Sequence, residues 1–172
     1  MPDLANIHPS RRLATPAGDE VDIDLDMIPL IRALWTLGLS TAGCCQDLGA
    51  SIRCGPSRAT GPGRRRHADF YAGQAWLKMP ADDARTMLDL LLRALPKTRE
   101  RLNRWTRADA WDVFVYLVAD GDNAGPSCWA QLHFPREHLK EVTTALSTAT
   151  APSTRGAADG HLDETAAPRR TR

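Results

Sequence analysis

The spacing of apolar residues along the chain changes period several times, and each change marks an element. Met27, Leu30, Ile31, Leu34 and Trp35 recur at helical spacing and share one face. Asp26 is placed to cap that helix, Pro29 falls in its first turn where a missing N–H does no harm, and Gly38 ends it. A second helix is predicted from Pro80 to Leu95, with a stripe of Ala84, Met87, Leu88, Leu91 and Leu95. Asp82 and Asp83 complement its N-terminal dipole and Pro96 stops it. A third helix follows Pro135, with Leu139, Val142, Thr143 and Leu146 inward, and Lys97 to Ala110 adds a short basic helix held by Leu102 and Trp105.

Strands fill the intervals. Trp111 to Ala119 is apolar on both faces after Asp112, which predicts a central strand. Asp120 to Pro126 is dense in turn formers, and Asp120, Asp122 and Asn123 lack the ligand series of a calcium loop. Cys128 to Phe134 then alternates, with Trp129, Gln131 and His133 on one side, so the two strands read as a hairpin. Ser40 to Cys45 and a segment within Phe70 to Met79 supply two more. The stretches AWLKMPADDARTMLDLL and AQLHFPREHLKEVTTAL echo each other with Pro80 laid on Pro135, each a strand entering a helix through proline.

These elements predict an α+β fold: a single mixed β-sheet of about four strands, three helices packed mainly on one face, and flexible termini. Residues 1–20 read as a flexible arm. Residues 21–146 read as one domain with a mobile Gly/Pro/Arg loop at 55–67, and residues 147–172 as a disordered tail too poor in large apolar side chains to offset its ordering entropy.

Composition narrows the class. The net charge of +1 selects for neither nucleic acid nor membrane, and no apolar run approaches the roughly 20 residues of a membrane span. The first residues hold no apolar core of a secretory signal, so a soluble cytoplasmic protein with four reduced cysteines is expected. The local charge is less even, since Leu48 to His67 holds five Arg and no acid.

Four sets of residues carry candidate chemistry. Cys44, Cys45, Cys54 and His67 lack zinc-ligand spacing, and adjacent Cys44 and Cys45 on a strand face opposite ways. Buried packing is the expected role of Cys44 or Cys45 and of Cys128, and no metal site is assigned. A nucleophilic Cys45 is the enzymatic alternative, requiring a neighbouring base or cation. Trp76, Lys78, Trp129, Gln131 and His133 project from one sheet face as aromatic walls with a few polar groups, a pattern suited to a small ligand, with Cys45, Gln46 and Asp47 at a strand end. Arg64, Arg65, Arg66, Arg101 and Arg104, with Trp105 to stack on a base, form a nucleic-acid alternative.

The run D-x-x-M-x-P-L-I-x-x-L-W-x-L-G-L-x-T-x-x-C-C-Q, Asp24 to Gln46, resembles a group of short uncharacterised actinobacterial and actinophage proteins, over about a sixth of the chain. Pro29, Leu30, Ile31, Leu34, Gly38, Thr41, Cys45 and Gln46 match their segments, whereas Cys44 replaces a Ser and Asp47 a Gly. The resemblance implies no activity. The strand end also resembles, over a shorter stretch, an S-C-S-G segment of the wybutosine-synthesis tRNA-modifying family, but no Gly-rich cofactor loop follows a strand here. The expectation is therefore a small accessory or regulatory binding domain, not an enzyme, that recognises a small molecule or a protein partner without a membrane and names no cofactor.

Overall fold

The computed structural model describes residues 7–55, 61–104, 106–121 and 123–149. Among these, the fold is α+β, with two antiparallel sheets and six α-helices. Strands β1 (Ser10–Ala14) and β2 (Glu20–Asp24) make a small hairpin sheet. The main sheet has the order β3-β4-β6-β5, from β3 (Gly43–Cys45), β4 (Gln74–Pro80), β5 (Asp112–Asp120) and β6 (Asn123–Pro135). The expectation of one mixed sheet thus gives way to two, and every strand pairing in them is antiparallel. The stretch expected to be a flexible arm supplies β1 and the turn of the hairpin, whose alternation is too polar to show in the sequence: only Ile23 is buried in its strands.

Helix α1 (Ile28–Thr36) follows a 3-10 turn at Leu25–Met27. Asp26, expected to cap the helix, lies inside that turn and pairs with Arg136 instead. Gly38 ends the helix at φ 75°, a left-handed backbone that suits glycine, while Leu39 N–H and Gly38 N–H bond back to Leu34 and Trp35 carbonyls at 3.0 Å. Helices α2 (Leu48–Cys54) and α3 (Gly61–Phe70) come next, then α4 (Ala81–Ala94), α5 (Thr98–Arg101) and α6 (Leu139–Thr148). Residues 61–67, expected within a mobile loop, are therefore helical; Pro62 falls at the helix start, where proline is tolerated, and the arginines behind it are good helix formers. Among the described residues no helix is long and apolar enough to cross a membrane.

One face of the main sheet carries the core. Ala75, Leu77, Met79, Ala130, Leu132 and Phe134 are buried with the apolar stripes of α1, α4 and α6. At roughly 25 cal/mol per Å², burial of these side chains is the main stabilising term. Helices α1, α4 and α6 thus share that face, as expected for the three helices, while the additional α2 packs with α3 and against β4. Strand β5 is at the edge, not the centre. Val115, Tyr116, Leu117 and Val118 are exposed there, and the register shifts between Val115 and Leu117.

The echo between the two strand–proline–helix stretches extends into the register. Laying Pro80 on Pro135 places Leu77 on Leu132, and these two residues lie directly opposite each other across β4 and β6. A two-fold axis through that pair exchanges Trp76↔His133 with Lys78↔Gln131, and likewise Gly43↔Lys78 with Asp112↔His133 in the outer strands.

Candidate functional site

Four residues line up across the second face of the main sheet. The register joins Cys45 to Trp76, Trp76 to His133 and His133 to Asp112, one residue from each strand. The five face residues proposed from the alternation do come together, since Lys78 opposes Gln131 and Pro80 opposes Trp129 in neighbouring rows. Their polar atoms are largely spent on one another. The Trp76 indole donates to Gln131 Oε1 at 2.9 Å, and the Lys78 ammonium lies 5.2 Å from the centre of the Trp129 ring.

His133 differs. Only 4% of it is exposed, because the Tyr71 ring lies over it at 4.8 Å and the Phe114 ring edges it at 5.5 Å. Its Nδ1 has no hydrogen-bond partner, and neither does Asp112 Oδ1 in the strand beside it. Among the described residues these are the only two buried side-chain polar atoms left so. Both residues line one cavity of about 200 Å³, together with Phe70, Tyr71, Gln74 and Arg107. Burial, with a smaller contribution from nearby His67, holds the His133 imidazole down to about 4, so it is neutral at pH 7. Burial also pushes the Asp112 carboxyl above its ordinary range. Arg107 at the rim bonds Asp109 at 2.8 and 3.1 Å.

Larger hollows lie elsewhere. One of about 420 Å³ runs between Pro29, Arg136 and Thr143, and one of about 390 Å³ between Pro16, Trp35 and Thr41. Neither contains an unpartnered buried polar atom. An unsatisfied group in a dry interior costs on the order of 1–3 kcal/mol, so the smaller cavity has the stronger demand for an occupant.

The strand-end trio of Cys45, Gln46 and Asp47 is structural in its last two members. Gln46 Oε1 accepts from Asp26 N–H at 3.2 Å, tying β3 to the first turn. Asp47 caps α2, accepting from Ala50 N–H at 3.0 Å and from Gly73 N–H at 3.3 Å. Its φ of −152° is extended backbone, so the Asp in place of Gly carries no strain. Cys45 is buried, with Sγ 2.9 Å from Ser51 Oγ. Burial and then Asp24 push its thiol up, and Cys44, packed toward the core from the other face, is pushed up to about 12. Neither has the lowered pKa of an activated nucleophile. Cys54 and Cys128 are exposed; the burial expected for Cys128 fails because its part of β6 extends past the sheet's covered width.

The arginines are divided. Arg64 donates to the Ile52 carbonyl at 2.7 Å and to Gly55, closing the end of α2. Arg101 is buried, held by Glu141 at 2.6 Å and Asp109 at 3.4 Å beside the Trp111 ring. Arg65, Arg66 and Arg104 are exposed, and Trp105 lies outside the described residues. Sequence reasoning missed Tyr71 and Gln74, whose only signal was their place beside elements of the sheet, placed Arg107 in a basic cluster and not at this cavity, and treated Asp112 as no more than the start of a strand.

Compared with known proteins, the chain matches no protein-family model, no curated protein and no solved structure.

Proposed function

We propose that this protein is a small-ligand binding domain that seats a compact polar molecule between His133 and Asp112. The observation that supports it is the pair of unpartnered buried atoms, Nδ1 of His133 and Oδ1 of Asp112, on the lining of one cavity. The volume of about 200 Å³ equals that of roughly six or seven waters, which sets the ligand's size well below that of a dinucleotide. The ligand presents a donor to the Asp112 carboxylate and a matching donor or acceptor to the neutral His133 ring, while Tyr71 and Phe70 offer flat apolar contact. Binding of this kind requires shape and two polar anchors, not a nucleophile, and both core-side and strand-end thiols are poorly ionised. An accessory or regulatory role follows from recognition without turnover.

The test is a titration of the full-length protein with a library of small polar compounds, followed by amide NMR. A true ligand shifts the signals of Tyr71, Gln74, Asp112 and His133 together. His133→Phe and Asp112→Asn each weaken it at least tenfold, consistent with about 1–3 kcal/mol for each lost polar contact. Binders whose shifts map elsewhere, or an affinity unchanged in both variants, overturn the reading.

A further inference from the structure

A second cluster, at the other end of the same row, has no part in that reading. His8 stands just before β1, Asp24 closes β2 and Cys45 closes β3, so three separated stretches of chain meet at one point. A ring nitrogen of His8, a carboxylate oxygen of Asp24 and Sγ of Cys45 all lie within 4.8 Å of one another. We propose that His8, Asp24 and Cys45 form a three-ligand site for a divalent transition ion of the zinc class, its fourth tetrahedral position left for water or an exogenous ligand.

The donor set selects the ion. Imidazole nitrogen and thiolate sulfur favour zinc-class ions over magnesium or calcium, which take oxygen. Three protein donors with one position spare is the pattern of zinc sites that bind or activate a small ligand, whereas purely structural sites use four. Charge favours the same ion, because a thiolate beside a carboxylate repels it and a divalent cation between them neutralises both. Cys45 is only 7% exposed, so an anion there needs such a partner.

The surroundings already orient the ligands. Gln46 N–H donates to Asp24 Oδ2 at 2.9 Å, and Gln46 is itself fixed by Asp26. The His8 Nε2 lies 3.1 Å from the Asp47 carbonyl oxygen and 3.4 Å from Ser51 Oγ, whose hydroxyl also meets Cys45. A carbonyl oxygen only accepts, so in this contact Nε2 carries the proton and Nδ1 holds the lone pair a metal would take. The set differs from the Cys44, Cys45, Cys54 and His67 combination considered from the sequence. Cys44 faces the core and Cys54 is exposed, and among the described residues only the trio here converges.

The experiment is titration of chelator-stripped, reduced, full-length protein with Co²⁺, with exposed Cys54 and Cys128 replaced by Ser. The expected result is one equivalent bound, giving a thiolate-to-cobalt charge-transfer band and the visible bands of tetrahedral cobalt, both bleached by Zn²⁺. Cys45→Ser removes the charge-transfer band, and His8→Ala and Asp24→Asn each weaken Zn²⁺ at least tenfold. Should Cys45→Ser fail to fold, the half-buried His8 still reports through His8→Ala. Thermal denaturation adds a second readout: Zn²⁺ raises the Tm of the parent and not that of His8→Ala. No charge-transfer band in the folded parent, unchanged affinity in both His8→Ala and Asp24→Asn, or an equal Tm rise in parent and His8→Ala overturns the proposal. Loss of the His133 cavity leaves all of these outcomes untouched.

Discussion

Gly49 shows how much a single side-chain atom decides. It sits where α2 meets the turn after α3, and an added Cβ would lie 2.5 Å from the Ala68 carbonyl oxygen and 2.6 Å from the Ala72 backbone. Backbone atoms have no rotamer with which to yield, so the helices would have to part. Gly49→Ala is expected to cost about 2–3 kcal/mol, seen as a Tm lower by about 5–10 °C in thermal denaturation. Gly63→Ala is the contrast, because a Cβ there meets nothing within 4 Å inside α3. It should stabilise by about 0.5–1 kcal/mol through helix propensity alone. At this scale the sequence is a partial guide. Cys45 and His133 stood out by residue type and place, but His8, Asp24 and Asp112 did not. Periodicity reports neighbours a few positions away, and these partners reach their sites only through sheet pairing or by lying before a polar hairpin.

Strand β5 makes the corresponding case for elements. Its run of valines and aromatics has the composition of a strand buried on both sides, yet it lies at the edge and Leu117 is 75% exposed. Hydrophobic content tells that a strand exists; which neighbours it takes depends on the β4–β6 pairing, which occupies the centre of the sheet. Helices α1, α4 and α6 were legible because each has one apolar stripe. Helix α3 was not, since only Ala68 is buried in it and its signal is glycine, proline and charge. An exposed apolar edge invites pairing with other chains. Leu117→Lys is therefore expected to change unfolding free energy by less than about 0.5 kcal/mol while reducing light scattering at high protein concentration. Scattering equal to that of the parent would show that β5 is not the associating edge.

For the molecule as a whole, buried histidines link folding to pH. His133 titrates at about 4 when folded and near its ordinary 6.5 when unfolded, so the unfolded chain binds the extra proton. Its contribution is fully present above pH 6.5 and is lost as pH falls toward 4. His138, whose Nδ1 accepts from the Trp111 indole at 2.9 Å, is lowered by burial and by Arg101 and acts in the same direction. Asp112, raised by burial, acts oppositely at the acid end, and His67 from α3 and Arg107 complete the charged groups around the cavity. Between pH 7 and 5, denaturant unfolding should show the parent losing on the order of 1–2 kcal/mol more than His133→Phe. Parallel pH profiles would remove His133 from the linkage.

A sheet in which Leu77 faces Leu132 and each of the three β3–β4 pairings has its mirrored mate in β5–β6 resembles the sheet two identical strand–strand–proline–helix chains would build by pairing across their inner strands. The protein thus has the geometry of a homodimer written into one polypeptide. Fusion releases the halves from having to stay alike. Where one half has Asp112 beside His133, the other has Gly43 beside Lys78, and where one has Cys45, the other has Phe114. The two halves share a scaffold and carry different chemistry on it.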